Sequence, residues 1–238
     1  MTAKIKMGYE MYKSISAVAN IQNEANLSFD VSGLEVKELS VNGISAMHIF
    51  VAPSICQTYE VSKPVVVGIN TANFKNILKT FDKKDTITME VTNDKIILQS
   101  ITKTFLLPII EHRGADKLPE IEYPVSIIFN AKEFKKLLKD ISLISGFLGF
   151  SVSNNEISIT AKGDAGETKF RYGSEHIQKI VSSINNTMFN VEEINKLISV
   201  ADNKSNIDIY LKENEPIKIV YEVAGVKVRC YLAPYIEG

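Results

Sequence analysis

The sequence predicts an α+β protein made of two similar tandem domains, each with antiparallel β-sheets and two helices on one face. Three observations point there. First, the chain repeats itself. Ile69, Asn70, Phe74, Ile77, Leu78, Asp82, Ile87 and Met89 match Phe189, Asn190, Ile194, Leu197, Ile198, Asp202, Ile207 and Ile209 at a shift of 120. A shift of 121 relates Leu27, Phe29, Val31 and Ser32 to Leu148, Phe150, Val152 and Ser153, and 122 relates Tyr12, Ile15 and Ala19 to Phe134, Leu137 and Ile141. Half of 238 residues is 119, so the repeat fills the chain. A period this long means duplicated domains of ordinary size rather than a solenoid. Second, four short segments carry a helical apolar stripe. Third, most of the remainder alternates apolar and polar residues, the mark of half-buried strands.

Met11, Ile15 and Val18 recur at i, i+4 and i+7. Phe74, Ile77, Leu78 and Phe81 form a second stripe, Phe134, Leu137, Leu138 and Ile141 a third, and Val191, Ile194, Leu197 and Ile198 a fourth. Each predicts a helix of about 10–13 residues lying on a sheet. Thr71, Asn70 and Asn190 are suitable N-caps, because short polar side chains accept bonds from free helix amides. The strands are predicted around Leu27/Phe29/Val31, Ile87/Met89/Val91, Ile96/Leu98, Ile157/Ile159, Ile207/Ile209/Leu211 and Ile217/Ile219/Tyr221. Turn chemistry separates them at Ser32-Gly33, Asn42-Gly43, Thr92-Asn93-Asp94, Asn154-Asn155 and Glu213-Asn214-Glu215-Pro216. The charged stretch Glu111–Tyr123, with Arg113-Gly114-Ala115-Asp116-Lys117, reads as a surface connector stiffened by Pro119 and Pro124. The expected organisation is thus 1–110, a connector over 111–124, and 125–238.

Composition narrows the class. A hydrophobic fraction of 45% and a charged fraction of 23% describe a globular chain, and a net charge of −1 confines any basic surface to a local patch. No apolar run approaches the roughly 18 residues of a membrane span, and Met1-Thr2-Ala3-Lys4 opens onto no apolar leader segment. Cys56 and Cys230 fit no metal spacing and read as reduced thiols. Catalytic motifs are absent: Gly163-Asp164-Ala165-Gly166 lacks the lysine of a phosphate loop and reads as a hairpin turn. Asp82-Lys83-Lys84-Asp85 reads as a solvated turn, and His48, His112 and His176 are scattered. No catalytic residue, metal site or cofactor is expected.

The lysines carry more. Lys132, Lys135, Lys136 and Lys139 of the third helix share one face opposite its apolar stripe, and Lys75 and Lys79 do so in the second. Lys13 and Lys196 add one each in the first and fourth. One such helix is ordinarily a solvated face. Repetition over four helices suggests a patch that attracts phosphates without reading bases.

Tyr231-Leu232-Ala233-Pro234-Tyr235-Ile236-Glu237, Leu118-Pro119-Glu120-Ile121-Glu122-Tyr123, and Gly68-Ile69-Asn70 leading into Asn76-Ile77-Leu78-Lys79 together resemble the proliferating cell nuclear antigen family, the sliding clamps of archaea and eukaryotes. They resemble its tail, its interdomain loop and the second helix of its first domain, and the trimmed loops look archaeal. The resemblance implies a DNA clamp fold and a ring of three subunits, homomeric or built with paralogues, whose helices face encircled duplex DNA. It implies a non-enzymatic processivity role, a clamp loader that opens the ring, and DNA polymerase, flap endonuclease and DNA ligase as partners that bind through short peptides. A cytoplasmic location follows, nucleoid-associated in an archaeon and nuclear in a eukaryote. The DNA-facing residues would be Lys13, Lys75, Lys79, Lys132, Lys135, Lys136, Lys139 and Lys196. The peptide pocket would be walled by Leu39, Ile44, Leu118, Pro119, Tyr231, Ala233, Pro234 and Ile236. Ring-forming edge strands are expected near Lys103–Ile110 and His176–Ser182. Gly43 stands where eukaryotic members have a pocket histidine, Tyr235 replaces a usual basic residue, and Glu193 and Val200 stand where eukaryotic members place DNA-facing basic residues. The competing expectation is a two-domain α+β enzyme or ligand-binding protein with a site assembled from scattered residues.

Overall fold

Alternating segments become strands and striped segments become helices, in an order that occurs twice. The structure, a computed structural model, describes residues 2–111, 117–153 and 155–236. His112, Arg113–Asp116 of the connector, Asn154 of one predicted turn and Glu237 of the tail lie outside the described residues. The first half runs β1 (Ala3–Gly8), α1 (Tyr9–Ile15), β2 (Glu24–Asp30), β3 (Gly33–Leu39), β4 (Ser45–Val51), β5 (Thr58–Val61), β6 (Val65–Asn70), α2 (Thr71–Leu78), β7 (Thr86–Val91), β8 (Lys95–Gln99) and β9 (Thr104–Pro108). The second half repeats it as β10 (Val125–Asn130), α3 (Ala131–Ser142), β11 (Phe147–Ser153), β12 (Glu156–Gly163), β13 (Gly166–Tyr172), β14 (Ile177–Ile180), β15 (Ile184–Asn190), α4 (Val191–Leu197), β16 (Asn206–Leu211), β17 (Ile217–Val223) and β18 (Val226–Leu232). Adding nine to any strand label of the first half gives its counterpart in the second.

The chain forms two units, Met1–Leu118 with Glu222–Val228, and Pro119–Tyr221 with Arg229–Gly238. In the first, one layer has the order β5-β1-β7-β8-β9 and another β4-β3-β2-β6, with β18 next to β4 in the sheet order. In the second, the layers are β14-β10-β16-β17-β18 and β13-β12-β11-β15. Neighbours are antiparallel, with Ile5 opposite Met89 in β1 and β7 and Ile127 opposite Ile209 at the corresponding place in β10 and β16. In each unit the two helices pack side by side against the strands that precede them. The first core is filled by Ile5, Met7, Tyr12, Ile15, Leu27, Phe29 and Phe74, the second by Phe129, Phe134, Phe150, Phe189, Ile194 and Tyr221. Rings meet at aromatic contact distance, Phe129 with Phe134 at 5.5 Å and with Tyr172 at 4.9 Å, which adds to the area that these side chains remove from water.

Three of the four helices start on the same device. Asn70 accepts from the Asn73 N–H at 2.8 Å, Asn130 from Lys132 at 3.0 Å and Asn190 from Glu193 at 3.0 Å. The caps fall 60 residues apart (70, 130, 190), half the main repeat. Thr71 is not a cap. It is the first helical residue, and its hydroxyl donates to the Gln22 carbonyl at 2.6 Å. Before α1 stands Gly8, which offers no side-chain acceptor.

Several elements are shorter than periodicity predicts. Helices α1, α2 and α4 have 7, 8 and 7 residues, and only α3, with 12, reaches the expected length. At the end of α1 the Ser14 hydroxyl donates to the Met11 carbonyl and, just past the helix, the Ser16 hydroxyl donates to the Lys13 carbonyl, and the chain tightens into a 3-10 turn, Ser16–Asn20, that still buries Val18. Strand β2 ends at Asp30, so Val31 is 83% exposed, whereas its counterpart Val152 is buried. The cause is Asp30, whose carboxylate accepts from the Ser32 and Gly33 amides and folds the chain into a turn. Asp82–Asp85 and Gly163–Gly166 are turns, as predicted, and Cys56 and Cys230 are free thiols.

A Cβ at Gly8 would meet nothing within 4 Å, and its backbone is extended, so an acceptor side chain fits there. Gly8→Asn should stabilise the protein by about 0.5 kcal/mol, and Asn130→Ala should destabilise it by about 1 kcal/mol. Urea denaturation monitored by circular dichroism checks both, and an unchanged midpoint in either would remove capping from this account.

Candidate functional site

Lysine heads sit where the helix stripes leave them, but their surroundings divide them into two sets. The first set is occupied. Lys13 pairs with Glu10 at 3.0 Å, one turn back on α1. Lys196 reaches both Glu192 at 3.0 Å and Glu193 at 2.8 Å on α4, and these bonds raise its pKa above the ordinary lysine value. Lys75 donates to the Asn20 side chain at 2.6 Å, and Lys135 donates to the Ala201 carbonyl at 2.6 Å. Asn20 ends the turn after α1, and Ala201 follows α4. Lys75 and Lys135 both stand five residues after a capping asparagine (70 and 130), so the same position ties a helix to the segment leaving its neighbour in both units. Burial, and then the nearby charge of Lys79, lower the Lys75 pKa.

The second set is free. Lys79, Lys132, Lys136 and Lys139 are exposed and form no ion pair among the described residues. Helix α3 holds three of them and also presents Glu133 and Asp140, so with Lys135 its formal charge is 4 − 2 = +2. Helix α4, with Glu192, Glu193 and Lys196, is 1 − 2 = −1. The basic face therefore rests on α3 and the end of α2. Of the eight lysines read from the sequence, four are committed to intramolecular partners.

The pocket candidates are placed within their own units. Leu39 ends β3, where its carbonyl accepts from the Gln22 amide at 3.0 Å. Ile44 follows the Ser40–Gly43 turn, is 39% exposed, and is held by the Asn42 carboxamide. Gly43 has a φ of +72°, a conformation that favours glycine. Leu118, Pro119, Ala233 and Pro234 are half-buried, Tyr231 is buried, and Ile236 is 73% exposed. At the end of the connector the Tyr123 hydroxyl donates to the Pro216 carbonyl at 2.9 Å. The Lys218 ammonium lies 4.9 Å from the ring of Tyr123 and 4.1 Å from that of Tyr210. Burial raises the Tyr123 phenol pKa, and nearby Tyr231 adds to the shift.

Sequence reasoning missed several of these residues. Asn130 was available from its 60-residue spacing to Asn70 and Asn190. Lys218 offered no such signal, because it lies at an ordinary outward position of β17. Tyr235 also gains a role: its amide donates to the Met188 carbonyl at 2.8 Å, and its ring packs at a tilt against Phe147, with centroids 4.2 Å apart. Among the described residues no group of three or more His, Cys, Asp or Glu could hold a metal ion, and no helix is long and apolar enough to cross a membrane.

Comparison with known proteins gives these features a family. Residues 1–106 match the proliferating cell nuclear antigen N-terminal domain, and residues 117–236 match its C-terminal domain. The chain is 25% identical over 246 residues to a DNA polymerase sliding clamp of Nitrosopumilus maritimus, covering 99% of this chain and 98% of that one. It is 25% identical to the DNA polymerase sliding clamp of Archaeoglobus fulgidus, covering 96% of each. Among solved structures, its fold is that of the A. fulgidus protein bound to the C-terminal region of FEN-1, with a TM-score of 0.93 at 23% identity over the whole of both chains. The proliferating cell nuclear antigen of Entamoeba histolytica superposes with a TM-score of 0.89 at 19% identity, over 99% of each chain. Two domain matches in order, covering both halves of the repeat, make the chain a member of the proliferating cell nuclear antigen family.

Proposed function

We propose that this chain is a DNA polymerase sliding clamp, a non-catalytic processivity factor whose subunits join in a ring of three around duplex DNA. Residues 1–110 and 125–238 act as its two clamp domains and 111–124 as the connector. The observation that carries the reading is which strand edges lack a neighbour. In the sheet order β18 is the neighbour of β4. Nine-strand counting makes β9 the counterpart of β18 and β13 the counterpart of β4. Both β9 and β13 end their layers, with no further strand beside them among the described residues; β5 and β14 do so too, but only β9 and β13 are the counterparts of strands that are neighbours elsewhere in the chain. Joining β9 of one copy to β13 of the next repeats a pairing the chain already makes and satisfies two rows of backbone groups. Half-buried Phe105 of β9 and Phe170 and Tyr172 of β13 supply apolar side chains to that seam. Two different edges meet head to tail, so closure depends on the rotation between subunits. The sequence expectation for the second edge, His176–Ser182, falls on β14; the repeat favours β13 instead.

Within the ring, Lys79, Lys132, Lys136 and Lys139 face the phosphates, 3 × 4 = 12 lysines per trimer. Lys13, Lys75, Lys135 and Lys196 chiefly hold the helices. This field is weak and reads no bases, which suits sliding: encirclement, rather than grip, retains the DNA. Polymerase, flap endonuclease and ligase dock by short peptides against Leu39, Ile44, Leu118, Pro119, Tyr231, Ala233, Pro234 and Ile236, and a loader opens the seam. The solved A. fulgidus relative bound to a FEN-1 C-terminal region supports this mode.

Native mass spectrometry should give 3 × 26.5 = 79.5 kDa for a homotrimer, or a three-subunit ring with paralogues. A strict monomer that joins no paralogue contradicts the ring. Replacing Leu106, 61% exposed on β9, with Arg beside the Lys169 and Arg171 edge should shift the mass toward 26.5 kDa.

The two lysine sets should separate in DNA binding. Lys136→Glu with Lys139→Glu should lower polymerase processivity with assembly intact. Lys75→Met should lower the thermal midpoint but leave the salt dependence of DNA association unchanged, whereas Lys136→Met should reduce that log–log slope by about 0.9 per lost phosphate contact. Equal slopes for both variants would merge the sets again.

A further inference from the structure

The connector and the tail differ in sequence, yet each leaves the last strand of its unit and turns back onto the edge of the same counterpart strand. After β9, the Ile110 amide donates to the Gly68 carbonyl of β6 at 3.1 Å, forming a single antiparallel bridge. After β18, the Tyr235 amide donates to the Met188 carbonyl of β15 at 2.8 Å, again as a single bridge. The receiving positions are 188 − 68 = 120 residues apart, the period of the sequence repeat. Both β6 and β15 are the last strands of their four-stranded layers, so each bridge also covers part of an open edge.

The two seats are locked differently. At the first, the receiving residue has no side chain. A Cβ on Gly68 would lie 2.7 Å from the Ile110 carbonyl oxygen, 2.9 Å from Ile110 Cγ1 and 3.0 Å from the Glu111 carbonyl oxygen. The obstruction is the incoming segment itself, so glycine is what lets the connector approach. At the second, Met188 has a side chain, and the lock is instead the Tyr235 ring on Phe147, with centroids 4.2 Å apart. Phe147 opens β11, opposite Asn190 at the end of β15, so the tail is clasped by the two strands that lead into and out of the helices.

These seats pin the chain on which the peptide candidates lie. Ala233 and Pro234 span only from the end of β18 at Leu232 to the anchor at Tyr235. Leu118 and Pro119 lie between the Ile110 seat and Tyr123, whose hydroxyl bonds to Pro216. We propose that Gly68 and Tyr235 are positioning residues for partner-peptide binding: Gly68 fixes the connector and Tyr235 fixes the tail, each within its own unit and through an equivalent edge seat. The proposal rests on the peptide groove assigned under Proposed function. Walls that are ordered before a peptide arrives need not be ordered by it, which removes a cost of binding.

The test uses the assembled protein and a fluorescent synthetic peptide of the FEN-1 C-terminal region, the segment bound to the A. fulgidus relative. Amide hydrogen exchange at positions 110 and 235 reports each seat, and anisotropy reports affinity. Gly68→Ala should expose the Ile110 amide and weaken the peptide about tenfold, and Tyr235→Ala should expose the amide at 235 with a loss of about fivefold, the scale of lost pre-organisation. Tyr235→Phe keeps the ring and should bind as the parent does. Ile110→Pro removes the donor without touching β6 and should reproduce Gly68→Ala if that variant folds poorly. Faster exchange with unchanged affinity would overturn the proposal, and so would unaltered exchange in both alanine variants. A parent protein that does not bind the peptide at all would instead refute the groove reading on which the proposal stands.

Discussion

Backbone hydrogen bonding at sheet edges is the constraint on which the rest of this structure depends. A terminal strand presents a row of N–H and C=O groups that must find partners or face water. Four of the terminal strands fall into two groups, while β5 and β14 end their sheets without a bridge among the described residues. The chain turns Ile110 and Tyr235 back over β6 and β15, which places the connector and the tail. It leaves β9 and β13 without a neighbouring strand among the described residues, the edges through which we propose that subunits join. The same duplication underlies both: β18 and β4 are neighbours in the sheet order, and their counterparts β9 and β13 each end a layer.

A second consequence follows from the strand-to-helix junctions. Three strands end in an asparagine whose carboxamide caps the next helix, so helix start points recur with the strands. Fixed start points give fixed side-chain positions, and Lys75 and Lys135 fill equivalent ones. Their bonds to Asn20 and Ala201 place ammonium groups on acceptors after the neighbouring helices. Lysine on these faces thus does two kinds of work. Four heads hold the scaffold, and four remain solvated, most of them on α3. The acidic first turn of α4 weakens the field further, since Glu192 and Glu193 already engage Lys196. The result is a mild electrostatic surface, consistent with retention by enclosure.

Much of the fold was legible because duplicated cores keep duplicated apolar patterns. The shift of 120 located β6, α2 and β7 against β15, α4 and β16 without any strand being recognised individually. What escaped has definite causes. Strand β4 is buried at nearly every position, so it shows no alternation to detect. Val31 looked like a strand residue because its counterpart Val152 is one, but Asp30 ends β2 with a side-chain turn. The lysine face was legible as a helical pattern, while its division was not, since the acceptors Asn20 and Ala201 lie 55 and 66 residues away in sequence. The tail drew attention by its motif. Its attachment to Met188 and Phe147 depends on contacts between residues 47 and 88 apart, which a linear pattern does not encode.

In the proposed assembly, edges left open by the repeat become the seams of a ring. Hydrogen exchange resolved to single amides, measured across a dilution series alongside the molecular mass, addresses this directly. Backbone amides of β9 (Thr104–Pro108, where Pro108 has none) and β13 (Gly166–Tyr172) should gain protection together as mass rises from one subunit to three, while the interior strands β1 and β12 stay protected throughout. If β9 and β13 exchange at the same rate in monomer and assembly, or if another pair of strands gains the protection, the seam lies elsewhere and the duplication does not close a ring in the way described.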